Sequence, residues 1–101
     1  MAVIKITKEN FEAEVINSEK TILLDFYADW CMPCKMVSPT LEEISNEKSD
    51  IKVGKINVDL EPELAAAFSV SSIPMLAVMK NGKLANKMVG FSSKEKILEM
   101  L

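Results

Sequence analysis

The chain of 101 residues contains no histidine. That absence removes Ser-His-Asp and Cys-His nucleophile pairs, histidine general bases and histidine-ligated metals. It also removes c-type haem attachment, which needs a histidine directly after Cys-x-x-Cys. Glycine and proline are scarce, at three and four residues. That is about half of ordinary usage and argues against a linker-rich or disordered chain. Only two cysteines are present. They cannot supply a four-ligand zinc site within one chain, nor the multi-bridge framework of a small secreted domain. Basic excess is missing too: Lys+Arg is 12 and Asp+Glu is 15, for a net charge of −3. Such a balance is not that of a phosphate-binding surface. The opening Met-Ala-Val-Ile-Lys-Ile-Thr-Lys holds no secretory-type apolar stretch. The longest apolar run, Ile73 to Met79, is far short of a membrane span. The expectation is a cytoplasmic protein.

What is present is ordinary globular material, 49% apolar and 27% charged. The length fits one domain over residues 1–101. Strand and helix patterns alternate along it without a repeat or linker. Val3–Ile6 is a short β-branched run that fits an edge strand. Thr7 offers a helix N-cap, followed by Phe11 and Val15 at helical spacing. Thr21 to Ala28 is nearly all apolar, as in a strand buried on both faces. A helix through about Lys48 follows, its inner face formed by Val37, Leu41 and Ile44. Pro39 inside it is expected to kink it. Ile51 to Val58 reads as a strand, and Asp59 to Phe68 as a short helix with Pro62 in its first turn. Met75–Met79 and Lys83–Val89 read as strands joined at Asn81-Gly82, a strong hairpin signal. Ser92 and Glu95 suggest a capping box for a last helix to Leu101, with Ile97, Leu98 and Leu101 inward. The order β-α-β-α-β-α-β-β-α implies an α/β fold with parallel strands, right-handed crossovers and a terminal antiparallel hairpin.

Cys31-Met32-Pro33-Cys34 sits between a buried strand and a helix, the context of a redox pair. Residues i and i+3 on a first helical turn have Cβ atoms about 5–6 Å apart. A disulfide needs about 3.5–4.5 Å, so a small adjustment makes or breaks the bond. Cys31 falls at or just before the helix start. There the unpaired N–H groups and the helix dipole stabilise a thiolate and lower its pKa. This assigns Cys31 as nucleophile and Cys34, one turn in and more covered, as resolving thiol. Pro33 suits a first turn, and Lys35 adds positive charge nearby. Inert structural thiols or a structural disulfide are the bland alternative.

Asp25 interrupts Ile22-Leu23-Leu24-Asp25-Phe26, where burial is expected. A buried aspartate is rare unless paired or functional, and desolvation raises its pKa. It suits a general base for Cys34, directly or through water. The alternative, compatible with that role, is an ion pair with Lys55 on a neighbouring strand. Ile73-Pro74 precedes a strand, and such a bond can be cis or trans. Trp30, Met32, Ile73, Met75 and Phe91 are candidates for an exposed apolar patch around the cysteines, although Met75 could equally point inward.

Taken together, Asp25-Phe26-Tyr27-Ala28-Asp29-Trp30-Cys31-Met32-Pro33-Cys34-Lys35, Pro39, Asn57-Val58-Asp59, Ile73-Pro74, Asn81-Gly82 and Val89-Gly90 resemble the thioredoxin family across essentially the whole chain. The resemblance implies a three-layer fold: a central mixed five-stranded sheet in order 1-3-2-4-5, flanked by four helices. It implies that Asp25 and Lys55 match the family's buried carboxylate and adjacent lysine, and that Pro74 is cis beside the disulfide. The Ile73 backbone would pair with an extended client segment. Trp30, Pro33, Val58, Ile73, Val89 and Gly90 would frame the groove, with Met32 at its rim. It further implies a monomeric protein-disulfide reductase needing no bound cofactor beyond its dithiol, recycled by a thioredoxin reductase. Three positions depart from the family: Met32 replaces the usual glycine, Met75 the usual threonine, and Tyr27 the first of two usual tryptophans. Pro33 before the second cysteine, with no histidine between the pair, resembles the reducing members. Competing readings are a glutaredoxin-like enzyme, a binding module without turnover, and a zinc-bridged dimer.

Overall fold

The computed structural model describes residues 3–101. Its strands are β1 (Ile4–Lys5), β2 (Thr21–Tyr27), β3 (Ile51–Asn57), β4 (Met75–Lys80) and β5 (Lys83–Val89). The helices are α1 (Glu12–Ile16), a single π-type turn, then α2 (Met32–Glu47), α3 (Pro62–Ala67) and α4 (Lys94–Glu99). The strands form one sheet in the order β1-β3-β2-β4-β5. β1 and β2 run parallel to β3, and β4 is antiparallel to both β2 and β5. This is the thioredoxin-like α/β sheet that the resemblance implies.

Side-chain alternation along the strands builds two cores, one on each face. Ile22, Leu24 and Phe26 of β2 join Met75, Ala77 and Met79 of β4, packed with Val15 of α1 and Leu64 of α3. On the opposite face Leu23, Val53, Leu76 and Val78 pack against Val37, Leu41 and Ile44 of α2 and Ile97 of α4. The same alternation puts Asp25, two residues after Leu23, on the α2 face. It turns Met75, only 2% exposed, into the other core and out of the expected surface patch.

The β4–β5 hairpin turns at Asn81 (φ 54°) and Gly82 (φ 76°), two left-handed residues in succession. That is the requirement Asn-Gly meets in a tight hairpin. The expected helix N-cap at Thr7 does not form: the N-cap of α1 is Phe11, with no side-chain cap bond, and Thr7 instead closes the turn before it. The Thr7 Oγ1 accepts from the Asn10 N–H at 3.4 Å, while Asn10 Oδ1 accepts from the Thr7 N–H at 2.7 Å. Pro39 is exposed, and α2 continues through it as helix.

Several boundaries move inward. β1 is two residues, and α3 begins only at Pro62, after a turn anchored on Asn57. The Ser92–Glu95 capping box does not form. Ser93 is the N-cap, its Oγ accepting from the Lys96 N–H at 3.3 Å. Two adjacent serines offered the same cap chemistry, and the extended backbone at Ser93 selects the second. In this register Lys96 occupies the position where a Glu or Gln would return a hydrogen bond.

Candidate active site

β2 carries the chain up to Ala28, and α2 carries it back down. The turn between them places both cysteines just beyond the C-terminal end of β2, the central strand of the sheet. Cys31 is the N-cap of α2, with extended backbone at φ −95° and ψ 111°. Its Sγ accepts the Cys34 N–H at 3.2 Å, so one orphan donor of the first turn points at the sulfur. Pro33 occupies that turn and forfeits no helical hydrogen bond there. Cys31 and Cys34 are disulfide-bonded with Cα atoms 5.3 Å apart, inside the range a bridge accepts. In this oxidised form the two are almost equally covered, at 4% and 3% exposure. The expected contrast between them is therefore absent. Ala28 and the two cysteines form a small cluster of their own, packed by Tyr27, Val58 and Ile73.

Below the disulfide, Asp25 is 5% exposed, and its Oδ1 has no hydrogen-bond partner. Burial pushes its carboxyl up to about 7 from 3.8, while the positive charge of Lys55 opposes the rise. Lys55 lies directly across from Asp25 in the β2–β3 register. The close ion pair considered from sequence does not form. Instead, the Lys55 ammonium lies 5.7 Å from the centre of the Tyr27 ring, a cation–π position. A cavity of about 130 Å³ joins these groups, lined by Asp25, Cys34, Lys35, Ser38 and Lys55 with Tyr27, Ala28 and Asp29. Asp25, Cys34 and Lys55 are thus brought together, and Ser38 is an addition that the sequence reading lacked. Its signal was its spacing, four residues after Cys34 on one helix face.

On another side of the cysteines, Trp30, Val58 and Ile73 line a shallow groove with Ala65 and Val70. Trp30 is 71% exposed, and its Nε1–H donates to Asp59 Oδ2 at 2.8 Å. Asp59 is a second residue the sequence reading gave no role. The Ile73–Pro74 bond is cis. Gly90, at φ 96°, donates its N–H to the Pro74 carbonyl at 2.8 Å. Val89 pairs with Met75, which brings the end of β5 beside Pro74. Met32, Val89 and Phe91 are exposed, as is Pro33. Among the described residues no cluster of three or more His, Cys, Asp or Glu side chains could hold a metal. Among them, too, no helix is long and apolar enough to cross a membrane.

A redox-capable cysteine pair on a strand-to-helix turn, in a 1-3-2-4-5 mixed sheet, defines a dithiol–disulfide oxidoreductase. The chain belongs to the thioredoxin family, whose family model, described as Thioredoxin, matches residues 2–101. It is 46% identical over 101 residues to "Thioredoxin" of Mycobacterium tuberculosis, covering 99% of this chain and 87% of that protein. It is 45% identical over 102 residues to "Thioredoxin" of Bacillus subtilis, covering 100% of this chain and 96% of that one. A third relative, "Bifunctional thioredoxin reductase/thioredoxin" of Mycobacterium leprae, is 42% identical over 99 residues; the match covers 97% of this chain and 22% of that protein. The family catalyses protein-disulfide reduction by dithiol–disulfide exchange, with the cysteine pair as the redox group.

Proposed function

We propose that this chain is a single-domain, monomeric cytoplasmic reductant of protein disulfides, in which Cys31 attacks, Cys34 resolves and Asp25 handles the proton. The observation that carries this reading is the Cys31 sulfur at the α2 N-cap, accepting the Cys34 N–H. A donor already aimed at that sulfur favours the thiolate once the pair is reduced. The Cys31 thiolate attacks a client disulfide, forming a mixed disulfide and releasing one client thiol. Cys34 gives its proton towards Asp25 and attacks the Cys31 sulfur. The Cys31–Cys34 bond forms, the bond to the client breaks, and the second client thiol leaves. Two electrons pass from the dithiol to the client, so no cofactor is required.

Lys55 tunes Asp25 through space. Trp30, Met32, Pro33, Val58, Ile73, Val89 and Gly90 form the client-facing surface, and Pro74, itself buried, sets the backbone direction at Ile73 through its cis bond. The apolar character of that surface suits an extended segment, and the Ile73 backbone offers a strand-like contact. A thioredoxin reductase returns the disulfide to the dithiol. The reductase joined to a thioredoxin in the name of the Mycobacterium leprae relative supports that partner.

The test is the midpoint potential of the Cys31–Cys34 couple in defined thiol–disulfide buffers, together with trapping by Cys34→Ser. Thioredoxins are known at about −270 mV and protein disulfide isomerase at about −180 mV. A value near the first, with Cys34→Ser accumulating mixed disulfides and Cys31→Ser forming none, supports the reading. A value near the second overturns the reductant role. Full biological activity of Cys31→Ser would instead favour a binding module.

A further inference from the structure

We propose that Ser38 is a positioning residue for the resolving step, its hydroxyl anchoring the solvent chain that carries the Cys34 proton to Asp25. The proposal rests on the reading of Asp25 as the group that handles that proton. Ser38 and Cys34 lie four residues apart on α2, so their side chains stack on one helix face. Both line the cavity that also exposes the Asp25 carboxyl. One Asp25 oxygen, Oδ1, is buried without a hydrogen-bond partner, while the residue as a whole lines the cavity and keeps 5% exposure. Leaving a buried acceptor unsatisfied is costly, so solvent in the cavity is favoured. One water needs only about 10–15 Å³ of such space and two to four polar partners, and the cavity has about 130 Å³.

The other polar groups around Asp25 are poorer relays. Lys55, opposite on β3, and Lys35, on α2, are ammonium groups that donate and cannot accept. Lys55 is also turned over the Tyr27 ring. Asp29 is an exposed carboxylate on the loop before α2. From β4 the residue facing Asp25 in register is Leu76, which is apolar. The Ser38 hydroxyl and the Tyr27 phenol are the neutral lining groups that both donate and accept, so a proton can pass without creating a charge; of the two, Ser38 shares the helix face of Cys34, whereas Tyr27 lies on β2 with its ring against the Lys55 ammonium. Among the described residues the Ser38 hydroxyl takes no protein hydrogen-bond partner. In the step itself the Cys34 proton moves through the anchored chain to the Asp25 carboxylate. The Cys34 sulfur bonds to Cys31, the bond from Cys31 to the client breaks, and the departing client thiolate takes up a proton from the same chain.

Stopped-flow reaction of the reduced protein with dithiobis(nitrobenzoate) separates the two events, since one chromophore leaves on Cys31 attack and a second on resolution. The proteins are the parent chain, Ser38→Ala, Ser38→Thr, Asp25→Asn and Ser38→Ala with Asp25→Asn, from pH 5.5 to 9. Ser38→Ala is expected to slow the second release about three- to tenfold near pH 7, a part of the about 10²–10⁴-fold that general acid–base catalysis supplies. It is expected to leave the first release unchanged. Ser38→Thr restores the rate, and Ser38→Ala adds less than about twofold in the Asp25→Asn background, as coupled residues do. An unaffected second release, equal slowing of both, or full slowing in the Asp25→Asn background would overturn the role of Ser38. If Asp25→Asn slows resolution and Ser38→Ala does not, only Ser38 is wrong. If Asp25→Asn changes nothing at any pH, the Asp25 reading fails and Ser38 with it.

Discussion

Trp30 and Asp59 stand 29 residues apart, yet the Trp30 indole N–H donates to Asp59 Oδ2 at 2.8 Å across the mouth of the site. The bond links the loop before α2 to the turn after β3, and it holds a ring that is 71% exposed. Without it, nothing polar among the described residues fixes the orientation of that ring.

Asp59→Ala is therefore expected to loosen Trp30 rather than the fold. Trp30 is the sole tryptophan, so its fluorescence anisotropy reports the site alone. The anisotropy should fall, while global stability stays within about 0.5 kcal/mol, as for an exposed position. KM for a protein disulfide should rise about two- to fivefold, equivalent to about 0.4–1 kcal/mol, because a mobile ring must be ordered when the client binds. Asp59→Asn, which keeps an acceptor, should behave much like the parent.

Asp25 gives the stability curve a definite sign. Its carboxyl rises from 3.8 to about 7 on folding, so the native state holds a proton that the unfolded state has released. Below about pH 4 both states are protonated and Asp25 costs nothing on this account. Between about pH 4 and 7 the folded state loses relative stability as pH rises, and above about pH 7 the loss is complete. At about 1.4 kcal/mol per unit, that loss is on the order of 4 kcal/mol. Asp25→Asn should accordingly be more stable than the parent in urea at pH 8, with the gap closing by pH 4. A constant gap at every pH would mean that this carboxyl is not the one titrating.

Local signals that need no tertiary context were legible in the sequence. Asn81-Gly82 forms the turn it suggests, because both residues adopt positive φ. Cys31 caps α2 because Cys-x-x-Cys falls where a buried strand stops. Asp25 is buried because every neighbour in its strand is apolar. What remained hidden depended on choices made between elements. Ser93 outcompeted Ser92 by one residue of loop geometry. Met75 followed strand alternation into the core, although a sequence shows no face for a first strand residue. Cys31 and Cys34 are equally covered in a cluster against which Val58 and Ile73, distant in sequence, pack. Lys55 reaches the ring of Tyr27 rather than the oxygens of Asp25, a side-chain preference that strand pairing alone does not reveal.

Lys55 still acts on Asp25 through its charge. That charge works against burial and keeps the carboxyl lower than it would otherwise be. Lys55→Met retains the aliphatic stem and removes the ammonium. The Asp25 carboxyl should then titrate at higher pH, read by carbon-detected NMR of labelled aspartate in the oxidised protein. The pH at which resolution reaches half its maximum should move upward with it. A downward or absent shift would deny the through-space role and leave Lys55 as a surface cation over Tyr27.

Gly54 is the packing counterpart of these electrostatic constraints. Its backbone is not left-handed, so a side chain there is opposed by space and not by φ. A Cβ would lie 2.6 Å from Ile6 Cγ1 and 3.3 Å from a Leu24 methyl. Ile6 is 1% exposed and Leu24 0%, so neither can swing into solvent. Overpacking of this kind costs about 1–3 kcal/mol, which exceeds the about 0.4–1 kcal/mol that Gly→Ala gains by restricting the unfolded chain. Gly54→Ala should lower the urea midpoint with an unchanged slope. Ile6→Ala alone should cost about 2–5 kcal/mol through its cavity. When both substitutions are combined, the methyl added in place of the Gly54 hydrogen enters the space that Ile6 vacates, so the combined loss should be smaller than the sum. Strict additivity would show that the β1–β3 contact relaxes elsewhere and that space at Gly54 is not the constraint.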